Sequence, residues 1–307
     1  MRIPVFLAVI LQLPATTWAA PPVTATAFTP DKTQVVLGSQ AGVEIRSWPE
    51  LEVVATLSSA WDHIHDVRFS PNGTTLLVAG GAPSDEGGVE VWNWSDRQVG
   101  KRIATHEDVV YRATWSPDGT HWVTAGGDSV CEVRSAETSD RRTRYVGHSR
   151  PVLAIAYLPD GQSIVSGGVD TTVRIWDAET GEHRRTLDNH VGTVNSIAVR
   201  PGQTPDALPV IATASDDRTV RLWQPTIGRL VRFAKLPSIP RAIAWSQRGD
   251  RMFVGCDDGQ IRVLDPDNVE ILKTLEGPKG RIFELLVDAT GKRLLVAGQG
   301  GCRLIEM

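Results

Sequence analysis

Two sets of histidines in this 307-residue chain have the residue types that chemistry requires. The first is local, in Trp61-Asp62-His63-Ile64-His65-Asp66. On a strand the side-chain period of two places His63 and His65 on the same side. Two such imidazoles could ligate Zn²⁺ or Cu²⁺, with Asp62, Asp66 or Asp85 as a third, carboxylate ligand. The second set is distributed: His148 is followed at a fixed interval by Asp170, and His106 by Asp128. A carboxylate that orients an imidazole is what a general base needs. Nothing else completes a catalytic constellation. The chain has no Gly-x-Ser-x-Gly elbow, no phosphate-cradling Gly-rich loop between strand and helix, and no cysteine pair at metal spacing. We therefore expect no cofactor and no metal, with His63 and His65 as exposed polar residues and the His–Asp pairs in a structural role.

The elements that carry these residues are short. Gly147 to Asp177 reads as an apolar run ending at Tyr157, a Pro159-Asp160-Gly161 turn, a run through Ile164-Val165-Ser166-Gly167-Gly168, and a third run closing on Ile175-Trp176-Asp177. Runs of four to six residues bounded by turn formers are antiparallel strands. The stretch repeats at a period of about 42 residues. His106, Trp115, Pro117-Asp118-Gly119 and Asp128 fall on His148, Tyr157, Pro159-Asp160-Gly161 and Asp170. His190, Asp217 and Trp223 continue the series after an insertion within 202–209. Weaker copies complete seven units: Phe69 to Asn93 and Phe28 to Ser47 upstream, Ala244 to Asp265 and Ile282 to Ile305 downstream. A unit of three or four strands cannot bury both faces alone, so neighbours must stack, and closing the ring protects the sheet edges.

Gly147-His148, Asp170 and Trp176-Asp177 at these spacings, with His190, Asp217 and Trp223, resemble the WD-repeat β-propeller family. The resemblance spans all seven units and is strongest in the fourth and fifth. It implies an all-β fold, a single seven-bladed β-propeller of four-stranded antiparallel blades. It also implies a hydrogen-bonded set that pins each blade: His148, Ser166, Asp170 and Trp176 in unit four, and His190, Thr213, Asp217 and Trp223 in unit five. Unit three keeps His106, Thr124 and Asp128 but has Arg134 in place of Trp, and unit two has Trp92 but Ala60 in place of His.

The N-terminus differs in kind. Ile3 to Leu13 is almost continuously apolar, and small residues around Ala19 offer a cleavage site. We read residues 1–19 as a secretory signal peptide and 20–307 as the propeller, exported to the periplasm or the extracellular space. The apolar run is too short to span a bilayer, so no membrane span is expected after cleavage. The seventh unit ends after its third strand at Met307. The last blade is then either three-stranded or closed by the N-terminus, by spacing Leu13 to Thr17. If the N-terminus is retained, the protein is cytoplasmic.

With 36 acidic against 32 basic residues the net charge is -4, which disfavours a nucleic-acid partner. Taking the place of His63 and His65 in every unit collects Tyr111, Asn195, Arg241, Arg281 and Phe283, which should ring one mouth of the channel. Aromatic residues and arginine are enriched at binding hot spots. The expected function is a non-catalytic platform, a monomer or a subunit of a complex, that binds a protein or peptide on this mouth. The alternatives are a propeller enzyme such as a lactonase or hydrolase, a metal-binding propeller built on His63 and His65, and a structural subunit of an envelope assembly. Cys131, Cys256 and Cys302 are expected as free thiols, with a Cys256–Cys302 bridge as the alternative.

Overall fold

The structure, a computed structural model, describes residues 21–202 and 207–307. The proposed leader and the Leu13–Thr17 closing strand lie outside the described residues. Seven antiparallel sheets follow one another in chain order, six of four strands and a last one of three among the described residues. Each runs from an inner strand at the channel to an outer strand at the circumference. In blade 4 these are Val152–Tyr157, Ser163–Gly168, Val173–Asp177 and His183–Leu187. Helical structure among the described residues is one 3-10 turn, Pro225–Ile227. No described helix is long and apolar enough to cross a membrane.

Second strands are buried on both faces, because neighbouring blades cover both. In blade 4 all six second-strand residues are buried, whereas four of five outer-strand residues are exposed. The core is accordingly distributed between blades. Ala25, Val36 and Ile45 of blade 1 pack with Ile64, Val67, Leu76 and Trp92 of blade 2. Trp92, Trp122, Trp176 and Trp223 are fully buried, each an apolar body stabilising by about 2–3 kcal/mol. Two inner-strand tryptophans also bond backwards to the preceding blade: Trp115 Nε1 donates to the Arg68 carbonyl and Trp245 Nε1 to the Ala198 carbonyl, both at 3.2 Å.

The ring closes between its first and last blades. Val23, Val35 and Leu37 pack against Leu295 and Ala297, and the Val23 amide donates to the Gly298 carbonyl at 3.1 Å. The glycine pairs Gly80-Gly81, Gly126-Gly127 and Gly167-Gly168 sit at the ends of second strands. There they admit the backbone that enters the inner strand: a Cβ on Gly168 would stand 2.1 Å from the Pro151 carbonyl oxygen.

Candidate docking site at the channel mouth

The residue two places into each inner strand has an unusual position. In blades 2 to 7 the pairing between inner and second strand slips by one residue there, leaving His65, Tyr111, Leu153, Asn195, Arg241 and Phe283 without a cross-strand partner. A β-bulge of this kind redirects the side chain of its extra residue. All six are half-buried, as is His63, so the two histidines expected to be exposed are not openly so, while Arg281 is exposed.

Their surroundings divide the mouth into two arcs. On blades 2 and 3 the His65 and Tyr111 rings lie 5.3 Å apart, and His63 stacks beyond His65 at 6.4 Å. Burial, with smaller contributions from His63 and Arg112, pulls the His65 imidazole down to about 4. Burial and the nearby Asp108 charge push the Tyr111 hydroxyl up. Both groups are therefore neutral near pH 7, and this arc is aromatic and uncharged at those positions.

The arc on blades 5 to 7 is ionic. Arg241 donates from Nε and Nη2 to the two oxygens of Asp257 (2.7 and 3.0 Å), and from Nη1 to Asp216 (2.8 Å) and Asn195 Oδ1 (3.0 Å). Asn195 Nδ2 donates to Asp216 and to the Pro240 carbonyl, and Arg281 approaches Asp257 at 3.5 Å. Arg241 is thus a clamp between two blades as well as a surface cation. Asp216 and Asp257 lie outside the repeat-aligned mouth positions. Their signal was available, since both follow a second strand directly, one residue before the position of Asp170.

Of the three carboxylates considered as a third ligand beside His63 and His65, Asp66 is directed elsewhere. Asp66 is buried in the channel, where it faces Arg68 (3.2 Å) and Arg112 (3.4 Å) and accepts the Val67 and Ala113 amides. Glu284, from blade 7, reaches the same two arginines at 2.9 and 2.7 Å. Among the described residues no three His, Cys, Asp or Glu side chains are grouped so as to hold a metal. The four charged groups border a channel cavity of about 180 Å³, whose other side is Ala154, Ala156, Ser196 and Ala242. Burial opposes charge on Arg68, Arg112 and Glu284, yet the opposite charges prevail, raising the two arginines and lowering the glutamate.

The His–Asp pairs of the blades form closed chains. Trp176 Nε1, which can only donate, reaches Ser166 Oγ at 3.1 Å. Ser166 then gives its proton to His148 Nε2 (2.8 Å), and His148 Nδ1–H donates to Asp170 (2.9 Å). Trp223, Thr213, His190 and Asp217 repeat the chain. Burial raises the Asp170 carboxyl, but His148 and Thr172 outweigh it and hold it well below the usual range. Burial lowers His190 against the opposing pull of Asp217. Both ring nitrogens are engaged, which leaves none to serve as a base.

Blades that depart from this pattern have their own substitutes. In blade 3, His106 bonds Asp128 and Thr124, while Arg134 pairs with Glu132 at 2.8 Å. In blade 2, Glu90 takes the Trp92 indole at 3.1 Å, the Ser59 hydroxyl and the Ala60 amide, supplying the acceptors that His and hydroxyl give elsewhere. In blade 1, Arg46 pairs with Glu44 at 2.9 Å. The cysteines are free: Cys131 and Cys256 buried, Cys302 half-buried.

These blades agree with what comparison with known proteins finds. Residues 51–93, 97–133, 139–177, 181–224 and 237–265 each match the WD domain, G-beta repeat. The first four matches begin around the outer strand of one blade and end on the third strand of the next. Among curated proteins, Coronin-7 of Rattus norvegicus is 31% identical over 104 residues, which is 33% of this chain and 10% of that protein. Coronin-7 of Pongo abelii is 37% identical over 98 residues, 31% of this chain and 10% of that protein. The matched region thus spans about a tenth of the length of these relatives. With repeat matches over more than half its length and seven stacked antiparallel sheets among its described residues, six of them four-stranded, the chain belongs to the WD40-repeat family.

Proposed function

We propose that this protein is a non-catalytic interaction platform that binds a protein or peptide on the mouth formed by His63, His65, Tyr111, Asn195, Arg241, Arg281 and Phe283. The observation that carries the reading is the bulge repeated in blades 2 to 7, which leaves one side chain per blade outside the ladder at the same repeat position. Membership of the WD40 family supports an interaction role. The two arcs suit a polypeptide: an apolar side chain against His65 and Tyr111, and a polar or charged one against the Arg241–Asp216–Asp257 group. Catalysis is disfavoured because the buried carboxylates are paired with arginine and the blade imidazoles are engaged at both nitrogens. Export belongs to the same proposal and rests on the leader-like sequence of residues 1–19.

Affinity capture from the native source, repeated with Tyr111→Ala and Phe283→Ala, tests the reading. Loss of the co-purifying partner with an unchanged unfolding midpoint supports it. Retention of the partner by both variants, with loss on substituting Arg248 and Lys292 at the opposite end of the channel, overturns it.

A further inference from the structure

We infer a second docking surface, on the outer circumference of blades 2 to 5, for an extended acidic polypeptide segment. The outer strands Gln98–His106, Arg141–Tyr145, His183–Leu187 and Arg229–Lys235 carry two, three, two and three Lys or Arg, and no Asp or Glu. This concentration stands against an overall excess of acid, 36 to 32. Basic residues on edge strands ordinarily guard against edge-to-edge pairing. That need is the same in every blade, yet the outer strand of blade 1, Val53–Leu57, has no charge, and Ile271–Glu276 of blade 6 balances Lys273 with Glu276. The charge is therefore placed, and it follows the ring.

The cations also share a height. Lys101, Arg185 and Arg232 pair with Val91, Ile175 and Leu222, the same third-strand position in three blades. In blade 3 the residue beside that position, next to Val133, is the unpaired Arg142. All four are exposed. Arg141 and Arg184 are partly engaged, with Glu132 and Asp177 respectively. Among the described residues, the side chains of Arg142, Arg232 and Lys235 make no hydrogen bond or ion pair, although their backbones lie on the outer strands. Besides Glu132 and Asp177, the acidic residues Glu137, Asp140, Glu179 and Glu182 lie in the turns leading into the outer strands of blades 3 and 4.

The shape selects among anionic partners. A band over four consecutive blades is convex, so a flat bilayer would touch only part of it, while a flexible chain can follow it. Base stacking by a single-stranded nucleic acid needs open aromatic platforms. The exposed aromatic here, Phe233, lies under the Arg221 guanidinium at 5.4 Å. Outer strands also offer free backbone donors and acceptors to which an extended peptide can add.

The test is fluorescence anisotropy of a labelled alternating Glu-Ser peptide titrated with the full chain. Saturable binding that disappears at about 1 M salt, where the screening length is ~3 Å, is expected. Combined Arg142→Glu, Arg232→Glu and Lys235→Glu should weaken it by about tenfold or more at low salt, with the unfolding midpoint retained. Lys273→Glu on blade 6 should leave it unchanged. Absence of saturable binding by the wild type, or equal binding by the triple variant, overturns the surface. Displacement of the peptide by a lower concentration of single-stranded oligonucleotide or phosphatidylserine vesicles overturns the polypeptide assignment.

Discussion

Replacing Glu284 by Gln should destabilise the ring far more than its place on a three-stranded blade suggests. Glu284 is 8% exposed and accepts from Arg68 at 2.9 Å and Arg112 at 2.7 Å. It joins blade 7 to blades 2 and 3 across the channel. Removing one partner of a buried ion pair costs about 3–5 kcal/mol, because the other charge is left uncompensated. Asp66 remains near both arginines at 3.2 and 3.4 Å, which places Glu284→Gln at the lower end, about 3 kcal/mol. At ~2–4 °C per kcal/mol this corresponds to a fall of roughly 6–12 °C in Tm. Denaturant unfolding followed by tryptophan fluorescence measures it. The cycle with Arg112→Gln should return a coupling of about 1.5 kcal/mol or more. A Glu284→Gln cost within ~0.5 kcal/mol of zero, or strict additivity with Arg112→Gln, would refute the view that these charges brace the ring.

Three further outcomes are expected. His148→Ala leaves the Asp170 carboxylate and the Ser166 hydroxyl without their shared partner and should cost about 2–4 kcal/mol in unfolding free energy. Because the folded state pulls His65 from 6.5 down to about 4, the unfolded chain binds the proton first. Stability should then fall as pH drops from 6.5 towards 4, by about 3 kcal/mol. His65→Asn should remove that part of the slope, and an NMR titration of the wild type should show one imidazole midpoint near 4. Finally, burial pushes the Cys131 and Cys256 thiols up. Both should resist a thiol reagent at pH 8 in the native state, and all three cysteines should react once guanidinium unfolds the ring.

The ring was legible because its information is local and repeated. His148, Asp170 and Trp176 lie within one blade, and the same spacing elsewhere aligns the units without reference to distant contacts. The bracing charges were not legible in that way. Glu284 meets Arg68 and Arg112 across separations of 216 and 172 residues, and only ring closure brings them together. Their repeat position nevertheless carried a signal. The residue after each mouth position is Asp66, Arg112 and Glu284 in three blades, but Ala154, Ser196 and Ala242 in three others. Charge at a place that elsewhere tolerates only small side chains implies a channel that must neutralise itself. Arg241 was singled out by its repeat position, but not its engagement with Asp216, because a turn residue of the preceding blade gives no period-two signal. The Glu90 substitute in blade 2 shows the same limit: its position is repeated, but its chemistry is not.

The bulge at the mouth has a consequence for how such a protein can change. Its occupant has no partner across the ladder, so the strands on either side keep their register whatever side chain stands there. Imidazole, phenol, isobutyl, amide, guanidinium and phenyl groups already occupy this one place in six blades of a single chain. The side chains at this place are thereby separable from assembly, and a set of them could be transplanted onto another ring, or exchanged blade for blade, without redesigning the sheets beneath. Arg241 marks the exception: there the same side chain also ties two blades, and exchanging it would alter recognition and the scaffold together.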